Sequence, residues 1–257
     1  MVRDTITVAE VMRWPGTVLS PDMTTAEADA VLERHFVWNF TYQSPIEPHC
    51  TVARWDHSRD AVTVWSSTQV PHYLHKQLSR VLELPMASIR VIRPYVGGGF
   101  GVKAEATALD FCSVYLSKLS GRPVRMVYTR EEMFAHHRGR HKQHMDLKIG
   151  VTRDGKITAV DFTSVLDGGA YTSFGVITAY YAGFMIPTLY HIPNYRYTGR
   201  RMYTNRPPCG AMRGHGVPQP KRFARRDHQR QVRLIGRCAA LSSGARCAGR
   251  GRQFPAA

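Results

Sequence analysis

Four of the eight residues in Val96-Gly97-Gly98-Gly99-Phe100-Gly101-Val102-Lys103 are glycine. Glycine lets the backbone take positive φ and come close to a ligand. The run follows the alternating stretch Ile89–Arg93 and precedes a helical pattern, predicted over Ala104–Leu119. A strand, a glycine turn and a helix in that order aim backbone N–H groups at whatever lies above the helix N-terminus. An anionic ligand is the expectation. A phosphate-binding P-loop needs Gly-Lys followed by Ser or Thr, whereas Val102 separates Gly101 from Lys103 and Ala104 follows. Gly99-Phe100-Gly101-Val102-Lys103-Ala104 does fit G-x-G-x-x-A, the dinucleotide fingerprint. Against it, the next strand closes Val127-Tyr128-Thr129 with no acidic residue, and Phe100 crowds a pyrophosphate. A purely structural turn is the remaining plain alternative.

Other residue types capable of chemistry are less organised. His137, His141 and His144 would share a helix face, and His136 adjoins them. Arg138, Arg140 and Lys142 are interleaved, however, and Gly139 weakens a helix. Cations beside a cation site oppose metal binding, so the segment reads as a solvated, basic, anion-facing stretch. Glu131 and Glu132 suit the negative charge favoured at a helix N-terminus. Cys209 lies in a proline-rich loop with no paired base in view, which favours a packed thiol over a nucleophile. No Ser/His/Asp constellation is legible. No residue is assigned as a direct metal ligand.

The elements that must hold these residues follow from periodicity. Val31–Val37, Cys50–Trp55, Ala61–Trp65, Ile89–Val96, Pro123–Tyr128 and Tyr195–Tyr203 alternate as strands. His57–Asp60 makes the second and third a hairpin. Asp146–Thr152 and Ile157–Leu166 form another across Asp154-Gly155, a strong turn signal. Tyr73, Leu74, Leu78, Val81 and Leu82 recur at helical spacing from Val70 onward, ending at Leu84-Pro85. In the second helix Ala108, Phe111, Cys112, Tyr115 and Leu119 share a face, and Gly121 closes it. A second glycine turn, Asp167–Tyr171, precedes the aromatic stretch Tyr180, Tyr181, Phe184 and Met185. A third glycine- and proline-rich loop runs from Asn205 to Gly216. The expected class is α+β: mixed sheets made largely of hairpins, with helices packed on one face.

With 257 residues and 43% hydrophobic content the chain can build a core. Five dispersed cysteines with no CxxC pair suggest neither a disulfide framework nor a zinc site. No apolar run suits a membrane span and no apolar leader opens the chain. A cytoplasmic setting is expected. The formal charge of +16 is uneven: residues 221–257 hold ten Lys and Arg against one acidic residue, leaving +7 for residues 1–220. Three regions follow: 1–24, an N-terminal extension or remnant; 25–220, the domain; and 221–257, a basic tail of low order.

Five segments in order resemble one family. They are Ile46-Glu47-Pro48-His49, Ser67-Thr68-Gln69, Gly97–Lys103, Asp167–Tyr171 and Tyr203-Thr204-Asn205 through Gly216. The family is that of the molybdenum-binding large subunits of xanthine dehydrogenases and aldehyde oxidases. Within it, Asp167-Gly-Gly-Ala-Tyr-Thr-Ser-Phe-Gly and Pro-Pro-Cys209-Gly with Arg213-Gly-His-Gly are most similar to 4-hydroxybenzoyl-CoA reductase alpha subunits. The resemblance implies the first molybdopterin-binding half of such a subunit, for molybdopterin or its cytosine dinucleotide. The cofactor's own sulfurs would hold the metal. It implies that Gln69, Gly98, Gly99, Phe100, Gly101 and Arg213 contact the cofactor, Gln69 by donating to a terminal ligand of the molybdenum. Tyr181 falls where purine-oxidising relatives carry a substrate-binding arginine, and Ala104 where they carry a glutamate. An aromatic or aldehyde-like substrate is implied instead. Gly214 stands where carbon monoxide-oxidising relatives have cysteine. Iron–sulfur and FAD partner subunits are implied too.

The general-base glutamate of the family lies in a second half that is not recognisable here, so the chain is expected to be truncated at both ends and inactive alone. A shifted reading frame near residue 220 is the expected origin of the tail. The other reading, a nucleic-acid-binding protein using the Arg-rich tail, lacks aromatic interleaving: Phe254 is the tail's one aromatic beyond Phe223.

Overall fold

The computed structural model describes residues 7–13, 28–136, 138–188 and 190–222. The tail beyond residue 222, on which the frame-shift and nucleic-acid readings rest, lies outside the described residues. Among the described residues nine strands form two mixed sheets. The four-stranded sheet takes β3 (Cys50–Asp56), β4 (Ala61–Ser66), β5 (Ile89–Ile92) and β6 (Val124–Val127), ordered β5-β4-β3-β6. The five-stranded sheet takes β1 (Thr7–Arg13), β2 (Ala30–Trp38), β7 (Lys142–Val151), β8 (Ile157–Asp167) and β9 (Asn194–Tyr203), ordered β1-β9-β8-β7-β2.

The hairpins fold as the turn chemistry dictates: β3 pairs β4 and β7 pairs β8, both antiparallel. Each sheet also holds one parallel pair, β4 with β5 and β8 with β9. Parallel neighbours need a crossover. Helix α1 (Pro71–Leu82) supplies the first and α4 (Gly175–Phe184) the second.

Each sheet packs its own core. Ala53, Trp55, Val62, Val64 and Ile89 meet Leu74 and Leu78 of α1 and Val114 of α2 (Ala108–Ser120). Both helices therefore cover one face of the four-stranded sheet. Met145, Leu147, Ile149, Val160, Phe162 and Tyr197 meet Ala182 and Ile186 at and just beyond α4. Gly183 permits close approach there, since a Cβ would run into the Tyr197 ring.

Helix α2 departs from the sequence reading in two ways. It begins at Ala108, not Ala104, because Thr107 and Asp110 form a capping box. The Thr107 N–H and hydroxyl each donate to Asp110 Oδ2 at 2.9 Å. Its buried side is Leu109, Asp110, Ser113, Val114 and Ser117. Cys112, Tyr115, Leu116 and Leu119 face solvent, so most of the apolar stripe read as the core face points outward. The inward polar groups are satisfied by the sheet. Asp110 Oδ1 accepts from Thr51 and Ser66 at 2.6 and 2.8 Å, and Ser117 accepts the Trp55 N–H at 2.9 Å.

The histidine segment differs as well. Helix α3 (Arg130–His136) opens with Glu131 and Glu132 in its first turn, as expected. The chain then turns inward: Arg140 and His141 are 6% and 1% exposed. A segment expected to be solvated is in part core, because the backbone must pair with Thr41 and enter β7.

Candidate functional site

The glycine turn leaves β5 and is held from two sides. Glu47 Oε2 accepts the Gly97 N–H at 2.7 Å and the Lys103 ammonium at 2.6 Å, so one carboxylate oxygen ties both ends of the turn. Gln69 holds the middle. Its Oε1 accepts the N–H groups of Gly101 and Lys103 at 3.0 and 3.3 Å, while its own N–H donates to the Lys103 carbonyl at 2.8 Å. Backbone N–H groups only donate, so the atom they meet must be the amide oxygen. The NH₂ of Gln69, on an exposed side chain, is then its outward donor end.

Backbone conformation follows the glycines. Gly98 and Gly101 have φ of 98° and 103°, and Phe100 sits at 53°. A Cβ on Gly101 would lie 2.5 Å from the Ala211 carbonyl, so the turn and the third loop interlock there. The Arg213 N–H donates to the Phe100 carbonyl at 2.9 Å, and its guanidinium lies 5.6 Å from the Phe100 ring centroid. Gln43, buried, donates to the carbonyls of Arg138 and Ala211 at 3.0 and 2.6 Å. Gln69, Gly98, Gly99, Phe100, Gly101 and Arg213, drawn from three segments of sequence, thus form one cluster.

The second and third glycine loops are stitched together beside it. Cys209 N–H donates to the Gly168 carbonyl at 3.1 Å, and Ala170 N–H to that of Arg206 at the same distance. Asp167 accepts from Thr204 at 2.7 Å and from Arg206 at 3.0 Å. Arg201, 1% exposed, donates to the Gly168 carbonyl at 2.8 Å and to that of Tyr171. Cys209 is buried, and burial pushes its thiol up to about 12, in keeping with a packed thiol. Tyr181 lies on α4, half-buried, its ring 6.3 Å from His215 in the third loop. It flanks the Arg213 loop without direct contact to Gln69 or Phe100 in the hydrogen bonds and ring pairs of the described residues.

Sequence reasoning missed the support beneath the site. Lys103 has a side chain with no exposed surface, and Arg140 donates to Gln219 at 3.2 Å and to the Arg213 carbonyl at 2.5 Å. Neither cation carries a local signal of its burial, since their partners lie 56 and 79 residues away. His141 holds its imidazole neutral: burial, then Arg201, His215 and Arg140, lower it to about 3.

The outward groups are an amide NH₂, a guanidinium, an aromatic ring and a turn of glycines. This set suits an acceptor-rich ligand bearing oxo groups or phosphates. Among the described residues no group of three or more His, Cys, Asp or Glu could hold a metal ion. A metal carried here would bring its other ligands with it.

Residues 7–225 match the family model for the molybdopterin cofactor-binding domain. The chain belongs to that family. Among curated relatives, it is 37% identical over 183 residues to the xanthine dehydrogenase molybdenum-binding subunit of Escherichia coli O157:H7, covering 69% of this chain and 24% of the relative. It is 37% identical over 195 residues to the nicotinate dehydrogenase large molybdopterin subunit of Eubacterium barkeri, covering 75% of this chain and 45% of that one. In fold it is similar to quinoline 2-oxidoreductase from Pseudomonas putida 86, with a TM-score of 0.74, 27% identity, and coverage of 82% and 28%. The chain therefore spans less than half the length of each of these three proteins.

Proposed function

We propose that the chain forms one wall of a molybdopterin site in a molybdenum oxidoreductase large subunit. The observation that carries the reading is the convergence of Gln69, Phe100 and Arg213 on one glycine turn. A Cβ at Gly99 would strike the Gln69 amide, so a glycine there is what lets that side chain lie against the turn. Molybdenum, when bound with its pterin, supplies two-electron redox chemistry at this wall.

The protein's part is positional. Gln69 presents its NH₂ to an oxygen acceptor while the turn pins its carbonyl. Arg213 offers guanidinium donors to anionic groups, held over Phe100. The positive-φ turn lets backbone N–H groups lie near the ligand without side-chain interference. Tyr181 would border the substrate, and Ala104 would leave room where an acidic group recognises purines. Both favour an aromatic or aldehyde-like substrate, with the aromatic acyl-CoA reductase type as the finer reading. The pterin would be molybdopterin or its cytosine dinucleotide, and iron–sulfur and FAD subunits would exchange electrons with it. With no glutamate base recognised, the chain alone would hold the pterin weakly and turn over no substrate.

The test is purification from a host that makes molybdopterin, with pterin read by fluorescence after oxidation and molybdenum by mass spectrometry. Sub-stoichiometric pterin that falls in Gln69→Ala and Arg213→Ala is expected. No detectable pterin in the wild-type chain sinks the reading. Stoichiometric metal with dye-linked turnover sinks the claim that this wall is inactive alone.

A further inference from the structure

We propose that Glu47 is the positioning residue of the glycine turn, acting through Lys103 on Gln69. The proposal rests on the molybdopterin reading for its purpose, but its geometry stands apart from it. The Lys103 side chain has no exposed surface, and among the described residues its one carboxylate partner is Glu47, at 2.6 Å. A buried ammonium is costly unless paired and hydrogen-bonded. The pair therefore dictates where residue 103 can sit.

Residue 103 in turn dictates Gln69. Its carbonyl accepts the Gln69 N–H at 2.8 Å and its N–H donates to Gln69 Oε1 at 3.3 Å. Both backbone groups of Lys103 thus bond the residue whose NH₂ faces outward, and its carbonyl also accepts the neighbouring Thr68 hydroxyl at 3.4 Å. Remove the carboxylate and the ammonium must leave for water, drawing both hydrogen bonds with it.

The other end of the turn is set by the same side chain. Glu47 Oε2 also accepts the Gly97 N–H at 2.7 Å, and the Glu47 N–H donates to the Gly97 carbonyl at 3.3 Å. A Cβ on Gly97 would lie 2.7 Å from Glu47 Cβ, so the two chains touch with no slack. Glu47 is itself anchored: Pro45 and Pro48 stiffen its segment, and the Ile46 carbonyl accepts from Arg130 of α3 at 2.8 Å. The side chain touches neither Phe100 nor Arg213 in the hydrogen bonds of the described residues. Its role is to place, not to react.

The experiment is amide hydrogen exchange on the full chain without cofactor, read residue by residue, for wild type, Glu47→Ala, Glu47→Gln and the double variant Glu47→Ala/Lys103→Met. Glu47→Ala is expected to speed exchange at Gln69, Gly97, Gly101 and Lys103 by about tenfold or more, with the α1 and α2 core amides unchanged. The double variant removes the stranded charge and should restore Gln69 and Lys103 to within about twofold of wild type, leaving Gly97 fast. Glu47→Gln keeps an acceptor for Gly97 but not the counter-charge, so Gly97 stays slow while Gln69 and Lys103 speed up; this arm decides the matter if Glu47→Ala does not fold. Wild-type exchange at Gln69 and Lys103 in the folded single variants overturns the proposal, as does a double variant that rescues nothing. Pterin retention is measured in parallel. A wild-type chain without pterin defeats the proposed function and leaves the exchange result to judge Glu47.

Discussion

Arg213 lies across Phe100, its guanidinium carbon 5.6 Å from the ring centroid and its backbone N–H bonded to the Phe100 carbonyl at 2.9 Å. The backbone bond survives any substitution short of proline, so the side chain can be removed without releasing the loop. An exposed cation–π contact contributes about 0.5–1 kcal/mol. Arg213→Ala should thus lower stability by no more than that in urea unfolding, while cutting pterin retention by about tenfold, as loss of a charge-assisted contact of about 1.5 kcal/mol implies. Equal retention in the two proteins defeats the assignment of Arg213.

Gln69→Glu separates holding the turn from touching the ligand. A carboxylate oxygen still accepts the Gly101 and Lys103 N–H groups, yet no NH₂ remains to donate. The expected outcome is a folded chain with an unchanged near-UV spectrum and little or no retained pterin. Gln69→Ala should lose both. If Gln69→Glu retains pterin as well as wild type, the amide is not a donor to the cofactor.

The solvent-facing stripe of α2 predicts an asymmetry in stability. Tyr115→Lys and Leu119→Lys remove side chains that are 57% and 67% exposed, and each should change stability by less than about 0.5 kcal/mol. Leu78→Ala, at a fully buried position of α1, should cost about 2–5 kcal/mol. Thermal and urea unfolding of the three variants side by side would check this. A large loss at Leu119 would mean that the helix is rotated.

Acid should destabilise the fold through His141. Its native value near 3 lies below the ordinary 6.5, so the unfolded chain binds the proton first as pH falls. The stability it contributes is complete above about pH 6.5 and declines by up to about 1.4 kcal/mol per pH unit between there and pH 3. His49 and His215, also lowered by burial, act in the same direction. His141→Leu should flatten the urea midpoint against pH across that window. An unchanged slope would place the proton uptake elsewhere.

Much of the fold was legible because hairpin chemistry is local. Asp154-Gly155 and the run His57–Asp60 marked two hairpins, and the alternation of Cys50–Trp55 and Ile157–Leu166 marked their strands. Helix α2 misled because its buried side is chosen by hydrogen bonding. Asp110 and Ser117 face the sheet to meet Thr51, Ser66 and Trp55, which a reading of apolar spacing ranks as a solvent face. His141 misled for the converse reason: its burial is imposed by the strand it enters. Gln69 and Arg213 were reached by resemblance, since nothing around either residue distinguishes it from a surface polar group. Glu47 and Lys103 were quoted within motifs, but a pairing across 56 residues is visible only once the chain is folded.

The glycine turn emerges from the smaller sheet and the Arg213 loop from the larger, and the Phe100–Arg213 bond joins them. Two separately packed interiors therefore meet where these loops cross, with Glu105 also bonding Arg138 and Ser173 there, and the proposed recognition surface lies along that meeting. Neither interior can soften alone without dissolving that surface, so heat, acid or a badly placed methyl group in either sheet would silence the site before the rest of the molecule comes apart.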